Sequence, residues 1–516
     1  MASAVLISAP RQRFGVRHLQ ASLMALTSLV AYTLRANLSV AVVAMVRTPS
    51  PDGPGNSSSS SQGEGSAEEY GVGGARVFDW EEWQRGWLLS AFFWGYTLSQ
   101  VPGGTLSHRL GGARLLKFVI ISTSLFTVAF PLCAEYGGWL AVFANRVVQG
   151  VTQGPLYPSI YTLLGVWVPP QEREFVTTLV MGTQLLAPAL ASPVCGYMAA
   201  NWGWPSIFYA FGAAGLFVGG LLCWLASDKP SLDTRISPEE VAYIESSLQM
   251  TESSLKKTAP PLTPWLSVLR SPCVWVLWIS MSVQAMAFFI LLTTIPTYLS
   301  SVLGFSLEEN GLITALPYLT GFFASYLFMG AANVINSRKL LNTTNSRKLF
   351  NALAGVPISI CVVATGYVSS PAVSVVLICL SMGFFGSTIV AVQANYLDIA
   401  PLHCGPIYSV GNMMAALLGV AAPIAVGFIV TNPRDVLQWR IVFWLELVCM
   451  CTAVVFYTWL GSGEVQPWND PAYNKKKTFN IQEVERAESE DDDDALKKDT
   501  DNNSSDRTIM CNKNVE

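Results

Sequence analysis

Long apolar runs separated by short polar turns dominate the chain. The runs predict helices near 19–46, 85–107, 115–134, 139–166, 174–199, 206–226, 273–300, 308–334, 349–369, 372–397, 405–430 and 438–460. Each is long enough to cross a bilayer, for which about 20 residues suffice. A longer polar stretch, Asp228–Pro264, divides six runs from six. The pattern predicts an all-α membrane protein of two six-helix halves, 19–226 and 273–460, joined by a linker over 227–272. Residues 1–18 form a polar N-terminal segment. The tail, 461–516, carries the acidic run Asp491–Asp494 and reads as disordered. Two matched halves around a midplane site are an architecture used by many transporters.

Charge gives the halves a direction. Arg11, Arg13 and Arg17, the turn with Arg109, Arg114 and Lys117, the turn with Arg338, Lys339, Arg347 and Lys348, and Lys475–Lys477 all fall on one side. Basic turns mark the cytoplasmic side, so both termini are expected there. The loop 47–84 is expected on the other side. It is acidic, and its Asn56-Ser57-Ser58 is a glycosylation acceptor.

Composition agrees with a membrane protein. The chain has 51% hydrophobic and 13% charged residues, against about 25% charged in soluble domains. Its net charge of −4 names no partner. The N-terminus lacks the pattern of a cleavable signal. The ten cysteines form no CxxC pair, and most lie in the runs, where they read as packing residues. No nucleophile–base motif or metal cluster is evident, so neither an enzyme nor a cofactor is expected, and no nucleic acid. The expected partners are a small anion and the bilayer, with a monomeric transport unit. No acidic dileucine signal chooses between plasma membrane and endolysosomal or vesicle membrane.

Two arginines interrupt the apolar pattern. Arg35 lies in the run Leu19–Val46 and Arg146 in Trp139–Val168, with no acid in either. A cation at membrane depth costs roughly 2.5–3.5 kcal/mol on insertion scales and normally turns to a cavity or a partner. Arg146, Gln149, Gln153 and Tyr157 share one helical face, as do Tyr32, Arg35 and Ser39. Gly150 and Gly154 flank the first face and permit close approach of another helix. The guanidinium fork suits carboxylate or phosphate, so two forks across one cavity are expected to hold an anion. The alternative is that each arginine pairs with backbone carbonyls or with Asp398 or Glu446. Asn395, Gln393, Asn412, Ser409, Thr97 and Ser99 are candidate oxygen ligands for sodium, although such residues more often join helices. Glu446 has no evident role.

Motifs add a resemblance. Gly104-Thr-Leu-Ser-His108-Arg109-Leu-Gly111-Gly112-Ala-Arg114 resembles the loop after the second span of the major facilitator superfamily, with His108 at the usual acidic position. Phe78-Asp79-Trp80, Gly86 through Tyr96, Gln100 through Gly104 and Arg146 through Gly154 resemble solute carrier family seventeen. So do Pro169 through Arg173, Glu309 through Tyr318, Leu397 through Pro401 and Gly463 through Trp468. The resemblance implies secondary active transport of an inorganic or organic anion by alternating access. Substrate would bind at Arg35, Arg146, Gln149, Gln153, Tyr157 and Tyr32, and Gly104, Arg109, Gly111 and Asp398 would serve the gate. Glutamate and sialic-acid carriers of the family have Glu at the position of Gln153, and a sialic-acid carrier has a second at Gln149. Glutamate carriers also have His at Leu89 and Arg at Gln284. The phosphate branch has Gln at both fourth-span positions. The resemblance therefore leans to phosphate-type transport driven by sodium or potential. Proton coupling, with sialin-like export of acidic sugars or amino acids from lysosomes or vesicles, is one alternative. A non-transporting anion sensor is the other; the glycines Gly104, Gly111, Gly405 and Gly411 favour motion and hence transport. Asn336–Leu340 recurs at Asn345–Leu349, a tandem copy expected to lengthen one turn.

Overall fold

Glycine and proline cut the apolar runs into helices. The computed structural model describes residues 14–45, 76–80, 82–248, 262–301, 307–432 and 434–470. Asn56 and Asp491–Asp494 lie outside them. The tail expected to be disordered from 461 is ordered as far as 470, because the Gln466 N–H donates to the Ile399 carbonyl at 2.9 Å and Asn469 accepts from the Leu402 N–H at 3.1 Å. The first half comprises α1 (Val16–Met45), α2 (Glu82–Leu110), α3 (Gly112–Gln153), α4 (Leu156–Trp167), α5 (Arg173–Met181), α6 (Thr183–Trp202) and α7 (Trp204–Leu225). The linker holds α8 (Pro238–Ser247) and α9 (Trp265–Leu269). The second half comprises α10 (Pro272–Ser301), α11 (Leu307–Ser337), α12 (Thr343–Thr365), α13 (Pro371–Phe385), α14 (Asn395–Ile399), α15 (Cys404–Ile429) and α16 (Val436–Leu460), with a π turn at Ile389–Gln393.

Among the described residues, nine stretches are apolar and long enough to span a membrane. One of them, Gly112–Trp167, contains two expected spans. They part at Gly138, whose φ of 61° and ψ of −161° reverse the chain. That conformation is open to glycine and strained for other residues. With α1 and α2 added, the twelve expected spans all have helices. Gly111, at φ 101°, makes the tight turn between α2 and α3 and lies against the Asp228 side chain.

The tandem copies do not both lengthen a turn. Asn336–Leu340 ends α11 and turns, with Lys339 at φ 52°. Asn345–Leu349 lies inside α12, because Asn342 caps that helix by accepting from the Asn345 N–H at 2.8 Å. Capping context, rather than the repeated sequence, decides between turn and helix.

The halves touch along α2 with α15, α4 with α15 and α6 with α11. Close approach of α2 and α3 rests on Gly95 and Gly150: a Cβ on either would strike the other helix's backbone. The linker is fastened to the first half. Glu240 of α8 accepts from the Val16 and Arg17 N–H groups at 3.1 and 3.2 Å and pairs with the Arg17 guanidinium at 2.9 Å. It thus caps α1 with an anion, which favours that helix end. Nearby, hydrogen bonding from Arg235 holds the Asp233 carboxyl below the usual carboxylate range.

Candidate functional site

Residues from both halves line a cavity with about 810 Å³ of empty space, part of it open to solvent. The first half contributes Tyr32, Arg35, Tyr96, Tyr157 and Gln184. The second contributes Gln284, Thr388, Gln393, Tyr408 and Asn412. Among the described residues, Arg35 is the cationic side chain of this lining, and no acid belongs to it. Its guanidinium lies over the rings of Phe93, Tyr96, Phe92 and Tyr32, at 4.5, 4.9, 5.1 and 5.4 Å from their centroids. Among the described residues no hydrogen bond or ion pair reaches it. Ring faces attract a cation electrostatically, each by about 0.5–1 kcal/mol and more when desolvated. They occupy none of its N–H donors. Asn412 donates to the Tyr96 hydroxyl across the halves at 2.8 Å, and Gln284 donates to Asn351 at 2.9 Å.

Arg146 stands elsewhere. It is 2% exposed and absent from the cavity lining. Its Nη1 donates to the Leu34 carbonyl at 3.4 Å and to Gln149 Oε1 at 2.9 Å, and its Nη2 to Asn37 Oδ1 at 3.2 Å. Gln149 donates onward to Thr127 at 3.3 Å, and Gln153 to the Ala31 carbonyl at 2.7 Å. The expected common face exists, but these three positions of it press against α1 and the first part of α3. Two forks facing one cavity are therefore not present in this arrangement. Of the expected substrate residues the structure brings Tyr32, Arg35 and Tyr157 together at the cavity. Ser39, placed on the Arg35 face by spacing, bonds back to Ala36.

Beneath the cavity the halves close in layers. Tyr161 stacks on Tyr408 at 3.9 Å and donates to the Gln393 carbonyl and side chain at 2.9 and 2.8 Å. Gly104 abuts Ser409 and Pro406, Gly405 abuts Thr162 and Pro158, and Gly165 abuts Pro401 and Cys404. Small residues here let the backbones meet. Below lies a buried charge cluster. Asp398 pairs with Arg173 of the first half at 3.4 Å and Arg347 of the second at 2.8 Å. Arg347 also reaches Glu174 of the first half at 3.1 Å, and Asn336 donates to Glu174 at 2.6 Å. Each buried charge has an opposite partner, which its desolvation requires. Of the residues expected to serve the gate, Asp398 lies where the halves meet, whereas Arg109 is exposed at the end of α2 and Gly111 serves the turn.

Other flagged residues separate by location. Gln393 and Asn412 line the cavity, whereas Asn395 donates to the Tyr457 hydroxyl at 2.7 Å and Ser409 to the Pro406 carbonyl at 2.6 Å. Glu446 is buried within the second half and accepts from Ser359 at 3.2 Å, away from the cavity. Composition and spacing overlooked Tyr96, Gln184 and Tyr408 in the cavity, and Arg173, Glu174 and Arg347 as a lock. Opposite charges at the ends of three spans were the signal for the lock.

Residues 24–423 match the Major Facilitator Superfamily family model. Human sialin is 31% identical over 445 residues, covering 85% of this chain and 88% of that protein. A putative inorganic phosphate cotransporter of Drosophila melanogaster is 30% identical over 485 residues, covering 91% and 89%. The solved structure of a proton:xylose symporter bound to 6-bromo-6-deoxy-D-glucose superposes with a TM-score of 0.65 at 14% identity, covering 89% of this chain and 99% of that one. Two helical halves, a cavity between them and these matches along most of the sequence make the chain a member of the Major Facilitator Superfamily, in solute carrier family seventeen.

Proposed function

We propose that this protein is a secondary transporter that carries a small anion across a membrane by alternating access. The observation that carries the reading is Arg35, a cation without ion pair or hydrogen bond among the described residues, in a cavity shared by two halves. Its fork is free to hold a carboxylate or phosphate, and the amides of Gln184, Gln284 and Asn412 stand around the same space. A relative named for inorganic phosphate cotransport supports a phosphate-type substrate. A symporter with the same fold supports motion of the halves.

Sodium or membrane potential is the proposed driving force. Among the described residues the cavity lining has no carboxylate to carry a proton, and 100 mV supplies about 2.3 kcal/mol per unit charge. The end bearing Arg109 and the charge lock is assigned to the cytoplasm from its basic turns. Glycan on Asn342, which caps α12 at that end, would reverse the orientation; glycan on Asn56 alone would support it.

The test is uptake by proteoliposomes of labelled phosphate, glutamate, urate and sialate, with sodium and proton gradients imposed separately. Arg35→Ala runs beside wild type. Uptake of at least one anion that disappears in the variant is expected. Undiminished uptake by Arg35→Ala would remove the anion-site reading.

A further inference from the structure

Two histidines meet where the halves close, and anion binding makes no use of them. His108 lies in the last turn of α2, and His403 precedes the first turn of α15. Their ring centroids are 5.3 Å apart with the planes at 51°. His403 is 1% exposed, and neither of its ring nitrogens has a hydrogen-bond partner among the described residues. The contacts of Gly104 with Ser409 and Pro406, and of Gly165 with Pro401 and Cys404, enclose this spot between the halves. His108 also occupies the loop position at which the resembling motif has an acid.

Among the described residues the charged surroundings offer His403 no counter-ion. Asp398 is held by Arg173 and Arg347. Asp228, at the adjoining α2–α3 turn, accepts from the Ala113 N–H and pairs with Arg114 at 3.3 Å. The Cys404 thiol donates to the Tyr161 carbonyl, and the Asn469 side chain accepts from the Leu402 N–H. Arg109 is exposed. Of these groups and His108, the charge that acts on His403 is that of His108.

We propose that His108 and His403 form a proton-sensitive latch at the lock end: neutral rings permit closure, and protonation drives the halves apart. A proton on His403 in the closed form would be a buried charge without an acceptor, facing another imidazole. Burial and a like charge both disfavour the charged form. Together they push His403 down to about 3, burial being the larger cause. Parting of the halves would hydrate the ring and return it toward the ordinary value of about 6.5. The value is lowered in the closed form, so the open form binds the proton more tightly. Acid on this side therefore favours opening. Between pH 7.5 and 5.5 the ratio of open to closed should rise about tenfold from this one group.

The experiment reads the gate without any substrate, so it stands or falls apart from the anion reading. Spin labels are attached through a keto amino acid at Gln171 and Ser337, exposed positions in opposite halves at this end. The native cysteines then stay in place. Label-to-label distances are measured in nanodiscs at pH 7.5 and 5.5. Wild type should gain about tenfold in the ratio of long to short distances. His403→Gln should lose most of that response while retaining the short distance at pH 7.5, whereas His108→Asn, which removes only the smaller cause, should keep most of it. His108→Asp should reverse its sign, because an aspartate opposite His403 would stabilise the protonated ring in the closed form. A wild-type ratio unchanged by pH, a wild-type response in His403→Gln, or an unreversed response in His108→Asp would overturn the latch.

Discussion

Arg35 and Arg146 pose the same problem to the bilayer and receive opposite solutions. Both sit on spanning helices without an acid beside them. Arg146 is bound by the Leu34 carbonyl, Asn37 and Gln149, and its guanidinium belongs to the packing of α3 against α1. Arg35 is held by four aromatic faces, which attract the charge while leaving its hydrogen-bond donors unoccupied. A buried cation is thus not in itself an anion site. What decides is whether its donors are already engaged. Arg347 completes the comparison: it is paired with Asp398 and Glu174 and joins the halves.

The largest effect is expected where charges are paired. Arg347→Ala leaves Glu174 and Asp398 short of a cation in the closed form. Breaking a buried pair by removing one partner costs about 3–5 kcal/mol, and each 1.4 kcal/mol is tenfold in an equilibrium constant. The closed form should lose at least about 100-fold against the open one. Cys404, buried between the halves, reports this through its alkylation rate at fixed pH. An unchanged rate in folded Arg347→Ala would deny the cluster its role as a lock.

Arg35→Ala comes next. Hydrogen bonds to a charged group contribute about 1.5–3 kcal/mol each, so losing a two-pronged contact should lower uptake by at least about 100-fold. Folding should change little, since no polar partner is orphaned. Arg35→Lys keeps the charge and the attraction of the rings but loses the fork, for a drop of about tenfold. Equal uptake by Lys and Arg would mean that charge alone is recognised, and the aromatic box would have no part in orienting the donors.

How much of this was legible in the sequence differs by scale. Apolar run length located the spans, because the bilayer imposes it on every helix. Helical spacing correctly grouped Arg146, Gln149 and Gln153 on one face. It was silent on what that face meets, and the answer depends on α1 lying across it. Gly95 and Gly150 fix the contact of α2 with α3, and only Gly150 stood out from the spacing of its neighbours. The lock was hidden because Arg347 reads as one more basic residue in a cytoplasmic turn. Its partners Glu174 and Asp398 lie 173 and 51 positions away in the chain, brought together by the halves meeting. Glu446 was conspicuous as an acid in an apolar run, and its contact with Ser359 explains one of its oxygens but not its purpose.

The smallest effect is expected from Arg146→Met, and it tests the comparison most severely. Methionine is unbranched and adaptable enough to fill most of the space. The exchange removes a buried cation that has no anion beside it, which relieves a desolvation penalty. Against this, the Leu34 carbonyl, Asn37 and Gln149 lose a donor, and an unsatisfied buried acceptor costs about 1–3 kcal/mol. The opposing terms should leave a net loss of stability of about 1 kcal/mol, read as a small fall in Tm in detergent. Uptake per folded molecule should stay within about threefold of wild type, because the side chain does not border the cavity. If Arg146→Met instead abolishes uptake as Arg35→Ala does, while its Tm holds, then Arg146 must release its partners and reach the anion in another stage of the cycle. The distinction between an engaged and an available arginine would then describe one conformation and not the transporter.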